Sequence, residues 1–385
     1  MSRRLLRAEW PLSVGRPVVS PLQPSVVYDS VDPDALDAQY DGLSEGFTYA
    51  REGHPNAKVV AGLIDRMEGA TGGIVVGSGM AAVSLAMLGN LKAGDHALGA
   101  NQLYGRSLRL LGEELPRLGI ETSLADPTDV AAFAEAIRPN TRLILIETIS
   151  NPTLRVADLE GIITLGRDRG ILVAVDNTFT TPRMVRPLEL GADIIIHSVT
   201  KLLAGHSDAT LGYVAARDGE VNLRMATLAA TLGTTAAPFD CWLAERGLYS
   251  FGMRFERASS TASVLADALA GAANVKRVLY PLRDDHPDHE RVKSLYAGQG
   301  GNMVSFELDG GRAAANRFVR ALDQVAFAPT LGDISTTLSH PASSSHRALS
   351  DGDRAKLGVS EGFFRVSVGC EESPELVQAF LDALR

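Results

Sequence analysis

The segment Ile194-Ile195-Ile196-His197-Ser198-Val199-Thr200-Lys201 reads as a buried strand ending in a hydroxyl-rich turn closed by a lysine. Three consecutive β-branched residues favour extended backbone covered on both faces, the habit of a strand inside a parallel sheet. Working outward, short apolar runs recur at 74–76, 143–146 and 171–175, with helix-length segments between them. Earlier, Val59, Val60, Leu63, Ile64 and Met67 fall at helical spacing and define one buried face. This alternation predicts an α/β fold with a mostly parallel central sheet, covered on both sides.

The flanks differ from this centre. Residues 1–48 contain Pro11, Pro17, Pro21, Pro24 and Pro33 with weak periodicity, which predicts an extended arm. A large domain is expected over 49–245. Near Gly233-Thr-Thr-Ala-Ala-Pro238 the pattern changes, and a long helical stretch around 242–270 leads into a polar loop at 281–289. Strands at 304–308 and 363–368 then alternate with helices, the last opening at Ser373-Pro374 as a cap followed by proline. A smaller α+β C-terminal domain over 246–385 follows from that pattern.

Composition narrows the function. A net charge of −9 and the absence of any Lys/Arg run argue against a nucleic-acid partner, which requires a basic surface. Two cysteines, Cys241 and Cys370, cannot build a disulfide framework, so a reducing cytoplasm is the expected compartment. Arg3, Arg4 and Arg7 are followed by Glu9 and Pro11 before any apolar core of export-signal length. The uncharged stretch 69–91 is crowded with glycine in its first half, which fits a buried strand–loop–helix and not a membrane span.

In an open α/β sheet, ligands gather beyond the carboxyl ends of the strands. Four strand ends here lead to Gly77-Ser78-Gly79-Met80, to Glu147 and Ser150-Asn151-Pro152, to Asp176-Asn177-Thr178, and to His197-Ser198-Val199-Thr200-Lys201. Gly77-x-Gly79-x-x-Ala82 matches a dinucleotide fingerprint, but no acid closes a second strand at the required distance. A nicotinamide-dependent oxidoreductase is therefore a poor reading. The narrower expectation is that small residues let N–H groups at a helix start approach a phosphate. Lys201, beside two hydroxyls and past a buried strand, is suited to act as a desolvated amine nucleophile, and Asp176 to pair with a protonated ring nitrogen. A Schiff-base lysine, an acid for a pyridine nitrogen and a phosphate cradle are what pyridoxal phosphate requires.

Further motifs extend this set: Tyr49-Ala-Arg51, Lys92-Ala-Gly-Asp95, Leu103-Tyr104-Gly105, Glu147-Thr-Ile-Ser-Asn151-Pro152-Thr153, Gly205-His206-Ser207-Asp208, Pro238-Phe239-Asp240, His340-Pro341-Ala342 and Arg365-Val-Ser367-Val-Gly369. In this order they make a chain that resembles the Cys/Met-metabolism family of pyridoxal-phosphate enzymes, which includes cystathionine γ-synthase, cystathionine lyases, methionine γ-lyase and O-acylhomoserine sulfhydrylases. The resemblance implies an aspartate-aminotransferase-like, fold type I architecture. It also implies a homodimer with shared active sites, usually paired into a homotetramer. It implies that Lys201 links to the cofactor and moves protons, that Asp176 binds the ring nitrogen, and that Asn151 approaches the ring oxygen. Gly79, Met80, Ser198 and Thr200 would hold the phosphate, joined by Tyr49 and Arg51 from a neighbouring subunit. Tyr104 would stack on the ring and take part in proton transfer, while Arg365 would grip the substrate carboxylate in a bidentate fork. Tyr49 and Thr330 join Arg365 as expected substrate contacts.

Other features bear on specificity. Arg106, where relatives often carry glycine, threonine or cysteine, is expected to point to solvent. The lysine–aspartate pair typical of methionine γ-lyases falls at Ala229-Ala230, and the glutamate of cystathionine-handling relatives falls at Ser335. Thr330-Leu-Gly-Asp333 looks more like the sulfhydrylase and methionine-lyase branches. The implied activity is γ-elimination or γ-replacement on a homoserine-type amino acid with an O- or S-linked leaving group; β-elimination and a non-catalytic cofactor-binding subunit are the alternatives. No metal is expected: His286 and His289 lie in what reads as a solvated loop, and Cys241 and Cys370 read as packing residues. His197 and His206 are expected to be structural hydrogen-bond partners.

Overall fold

The computed structural model describes residues 15–347 and 349–385; the Arg3–Pro11 stretch considered for export lies outside the described residues. Strands β1 (Ile74–Val76), β2 (His96–Ala100), β3 (Glu121–Ala125), β4 (Thr141–Glu147), β5 (Leu172–Asp176), β6 (Ile194–Ser198) and β7 (Gly212–Ala216) form one sheet. Their order is β1-β7-β6-β5-β4-β2-β3. β7 runs antiparallel to both β1 and β6, while the remaining pairs are parallel. Because β7 opposes both of its neighbours, β1 shares the direction of β6, and the carboxyl ends of β1, β4, β5 and β6 open on one rim. The dinucleotide reading fails here for a second reason. β1 and β2 lie far apart in the sheet, with β7 beside β1, so no adjacent parallel βαβ unit stands at Gly77.

Helix α1 (Pro33–Tyr40) lies within the arm, α2 (Pro55–Glu68) precedes β1, α3 (Gly79–Leu88) follows it, and α4 (Gly105–Arg109) follows β2. α2 is closed by Gly69 in the left-handed conformation, φ 70°, which a residue without Cβ adopts at little cost. The uncharged stretch considered for a membrane is β1, the Ser78 cap and α3. Among the described residues no helix is long and apolar enough to cross a membrane.

The second sheet contains β8 (Val275–Leu279), β9 (Met303–Leu308), β10 (Ala326–Phe327), β11 (Thr337–Ser339) and β12 (Phe363–Ser367), in the order β10-β11-β12-β9-β8. Its core is aromatic: Phe306 and Phe364 stack at 5.5 Å, and Phe318 meets Phe364 edge-on at 5.4 Å. A 33-residue helix, Pro238–Ala270, serves both cores. Cys241, Ala244, Leu248, Phe251 and Phe255 pack into the larger core, whereas Ala262, Leu265, Ala266 and Leu269 pack into the smaller. The expected division between 245 and 246 falls inside this rod, which at ~1.5 Å per residue is long enough to span both units.

Two local readings are corrected. The 281–289 loop is only partly solvated: Asp284, Asp285 and Pro287 are exposed, but His286 and Asp288 are buried, docked on the turn after β4. Asp288 accepts hydrogen bonds from Arg155 Nε at 2.7 Å, Arg155 Nη2 at 3.0 Å and Val156 N–H at 2.9 Å, and His286 Nε2 meets Leu154 O at 3.1 Å. Polar residues signalled exposure in the sequence, but the Asp288 charge finds its partner, Arg155, across the two units. Ser373 is the first residue of the last helix, not its cap, and its hydroxyl pairs with Thr261 Oγ1 at 2.7 Å.

Candidate active site

The rim assembles from short local causes. Ser78, two residues past β1, caps α3, its Oγ accepting from Ala81 N–H at 3.1 Å. A Cβ on Gly79 would lie 2.7 Å from Ser198 Cβ, so glycine is what lets the start of α3 lie against the end of β6. Gly79 and Met80 thereby present first-turn N–H groups, which have no intrahelical acceptors, beside Ser198. Ser198 N–H donates to Thr178 Oγ1 at 2.8 Å. The Thr200 hydroxyl is tied to backbone, donating to Leu211 O at 3.2 Å and accepting from Leu211 N–H at 3.0 Å.

Asp176 closes β5. Its Oδ1 accepts from Thr178 N–H at 3.0 Å and from the Thr178 hydroxyl at 2.5 Å, while Oδ2 is left uncommitted. Burial pushes this carboxyl up; Thr178 and the nearby His197 work against that rise. Behind it, His197 Nε2 pairs with Glu68 Oε1, which also accepts from Asn177 Nδ2 at 2.9 Å. His206 bonds Ala204 O at 2.7 Å, so both histidines have hydrogen-bonding partners within the fold.

Lys201 is partly buried, and its side-chain amine forms no hydrogen bond or ion pair among the described residues. Burial, and then the positive charge of Arg365, hold its amine below the usual lysine range. Two elements that sequence reasoning missed press on its backbone. Gly332, at φ +80°, would place a Cβ 3.0 Å from Lys201 Cα. Buried Arg254 donates to Leu202 O at 3.0 Å and Leu203 O at 3.1 Å. Neither stood out, because one looks like a loop glycine and the other like a charge on a helix.

Arg365 comes from β12 and is buried. Its Nη1 donates to Asn151 Oδ1 at 2.7 Å and its Nη2 to Thr330 O at 2.9 Å, so Thr330 contributes its carbonyl. The Nε is buried without a partner among the described residues, an open donor that an anion would satisfy. Burial lowers this guanidinium to about 10. His346, also missed because it sits in a polar Ser-Ser-His run, is buried near it and pushed down to about 4, by burial first and then by the charges of Arg365 and Arg354.

Tyr104 stands before α4 with 43% of its surface exposed, and its N–H donates to Glu147 Oε1 at 2.6 Å. Tyr49 and Arg51 are exposed and meet each other, the guanidinium 5.1 Å from the ring centroid. Among the described residues no hydrogen bond or ion pair ties them to Lys201 or Ser198. Arg106 is exposed as well.

The residues fit pyridoxal phosphate on these observations: a glycine contact that holds a helix start against Ser198, an uncommitted Asp176 oxygen, and an amine without a protein partner. The comparisons agree. A family model described as Cys/Met metabolism PLP-dependent enzyme matches residues 13–385. The cystathionine β-lyase of Bacillus subtilis is 41% identical over 339 residues, covering 88% of this chain and 86% of that protein. The crystal structure of cystathionine γ-synthase from Xanthomonas oryzae pv. oryzae, in complex with aminoacrylate and cysteine, superposes with a TM-score of 0.90 at 34% identity, covering 95% of this chain and 92% of that one. A putative O-acetylhomoserine (thiol)-lyase from Campylobacter jejuni, bearing a pyridoxyl-lysine phosphate, gives 0.93 at 26% identity, with 98% of both chains covered. With a fold type I architecture and a lysine, an aspartate and a glycine–serine cradle on one rim, this chain belongs to the Cys/Met-metabolism family of pyridoxal-phosphate-dependent enzymes.

Proposed function

We propose that the enzyme acts at the γ-carbon of a homoserine-type amino acid, eliminating or replacing an O- or S-linked group. The observation that carries this reading is the pairing of the Lys201 amine, free of protein partners among the described residues, with the buried Arg365 fork and its open Nε. Pyridoxal phosphate, when bound, supplies an electron sink that acidifies the substrate α-proton. Lys201 would hold the cofactor and then move protons at the α and β carbons, a role suited to an amine kept below its usual range. Arg365, oriented by Asn151 and Thr330 O, would bind the α-carboxylate. Asp176 would hold the ring nitrogen, and Gly79, Met80, Ser198 and Thr200 the phosphate. Tyr104 would cover the ring and move a proton near the leaving group.

In this reading Tyr49 and Arg51 serve the site of a second copy, in a homodimer that pairs into a homotetramer. Supporting it, Val18 is fully exposed and Val19, Val31, Leu43, Tyr249 and Met253 are largely so, an apolar surface that a partner would cover. The two free cysteines suit a cytoplasmic setting. Ala229-Ala230 and Ser335 weigh against methionine and cystathionine as main substrates and leave an activated homoserine ester or an oxyguanidino amino acid such as canavanine. A second reading, β-elimination, is favoured by the 41% identity to a cystathionine β-lyase.

The deciding experiment incubates the holoenzyme with amino acids bearing β- or γ-leaving groups and identifies products by mass spectrometry. 2-Oxobutanoate, homoserine or a γ-thioether is expected. Pyruvate from β-substituted substrates alone would replace the first reading with the second.

A further inference from the structure

Glu147 and Asp176 are in-register partners on adjacent parallel strands. Such neighbours project from the same face of the sheet, about 5 Å apart along the hydrogen-bonding direction. Their support is unequal. Asp176 Oδ1 accepts two hydrogen bonds from Thr178, and His197 lies near enough to favour its charge. Glu147, 92% buried, accepts one, from Tyr104 N–H, while its Oε2 is buried with no partner and no cation pairs with it among the described residues. Two adjoining buried carboxyls do not both ionise readily, and the proton settles on the less supported one.

We propose that Glu147 is a positioning residue held as the neutral acid: the pair carries one negative charge, placed on Asp176, while Glu147 Oε1 anchors the backbone of Tyr104. The groups around the pair agree with this. From β5, Glu147 meets Asp176; from the turn before α4 it meets a neutral N–H; the Arg365 charge bears on Lys201, and neither of these cations acts on Glu147 among the described residues. Burial first, then the Asp176 charge, push Glu147 well above the ordinary carboxylate range. Functionally, the single charge is left on Asp176, the residue that would hold the ring nitrogen, and Tyr104 gains a fixed backbone although its side chain is open to solvent. This rests on the assignment of Asp176 and Tyr104 to the cofactor site, yet its first test needs no cofactor.

Infrared difference spectra of the apoenzyme, wild type minus Glu147→Gln at neutral pH, should contain the carbonyl stretch of a protonated carboxyl. An ionised-carboxylate signature in its place overturns the neutral-acid assignment, whatever reaction the holoenzyme performs. The anchoring role is read in the holoenzyme by comparing Glu147→Gln, which keeps the acceptor, with Glu147→Leu, which removes it. The glutamine variant should have a kcat about tenfold above that of the leucine variant, with cofactor affinity and circular dichroism similar in both. Equal kcat values overturn the anchoring. Should Glu147→Leu not fold, Glu147→Ala, which also removes the acceptor, takes its place in the kcat comparison.

Discussion

Arg365 shows how much one side chain is asked to do. Its two terminal nitrogens each give one N–H, to Asn151 Oδ1 and to Thr330 O, which fixes the fork before any substrate arrives. Lysine at this position would keep a charge but lose the planar array that holds Asn151, Thr330 and a carboxylate together. Arg365→Lys is therefore expected to raise KM for amino-acid substrates by about 10- to 100-fold, with a smaller fall in kcat, measured by steady-state kinetics on cofactor-saturated protein. An unchanged KM would remove Arg365 from the carboxylate site.

At the scale of elements, the 281–289 loop is the least expected part of the fold. Through Asp288 it grips Arg155 and Val156, and that turn carries Asn151 to Arg365. Burial pushes the Asp288 carboxyl up, but the hydrogen bonds from Arg155 and Val156 outweigh it and hold the group below its ordinary value. A depressed carboxylate contributes stability that is present above its unfolded pKa and lost as pH falls through the folded one. Asp288→Asn should thus cost roughly 2–4 kcal/mol at neutral pH, because Arg155 loses its counter-charge, and less in acid. Denaturant melts of both proteins across the acid range check this; curves separated by a constant amount at every pH would count against it.

For the whole molecule, the open question is what covers the arm. Part of it is anchored to its own chain, with Trp242 Nε1 donating to Ser20 O at 3.0 Å and Gln23 N–H to Asn56 Oδ1 at 3.0 Å, yet Val18, Val19 and Val31 face outward. If Tyr49 and Arg51 complete a neighbour's phosphate site, Lys201→Ala and Arg51→Ala proteins, each nearly inactive, should regain activity when mixed. Hybrid dimers of this kind would contain one intact site, giving roughly a quarter of wild-type activity at equal mixing, as independent random pairing requires. Subunit exchange confirmed by mass, without recovery, would place those two residues outside the neighbouring site.

Much of this was legible from residue order. The apolar runs at 74–76, 143–146, 171–175 and 194–196 each became strands of the main sheet, because burial on both faces leaves an unbroken apolar signature. The chemistry at their carboxyl ends was legible for the same reason: polar residues that follow such runs emerge on one rim. Strand β3, an edge with exposed Glu121 and Leu124, had no comparable signature, nor did the two-residue β10. Sequence could not tell that Asp288 is buried, that Gly332 presses on Lys201, or that Glu147 stands beside Asp176, since each depends on a partner remote in the chain. Local pattern records which side chains must leave water; which charge meets which, and hence where a proton rests, is settled only when the two sheets and the long helix bring distant residues within reach.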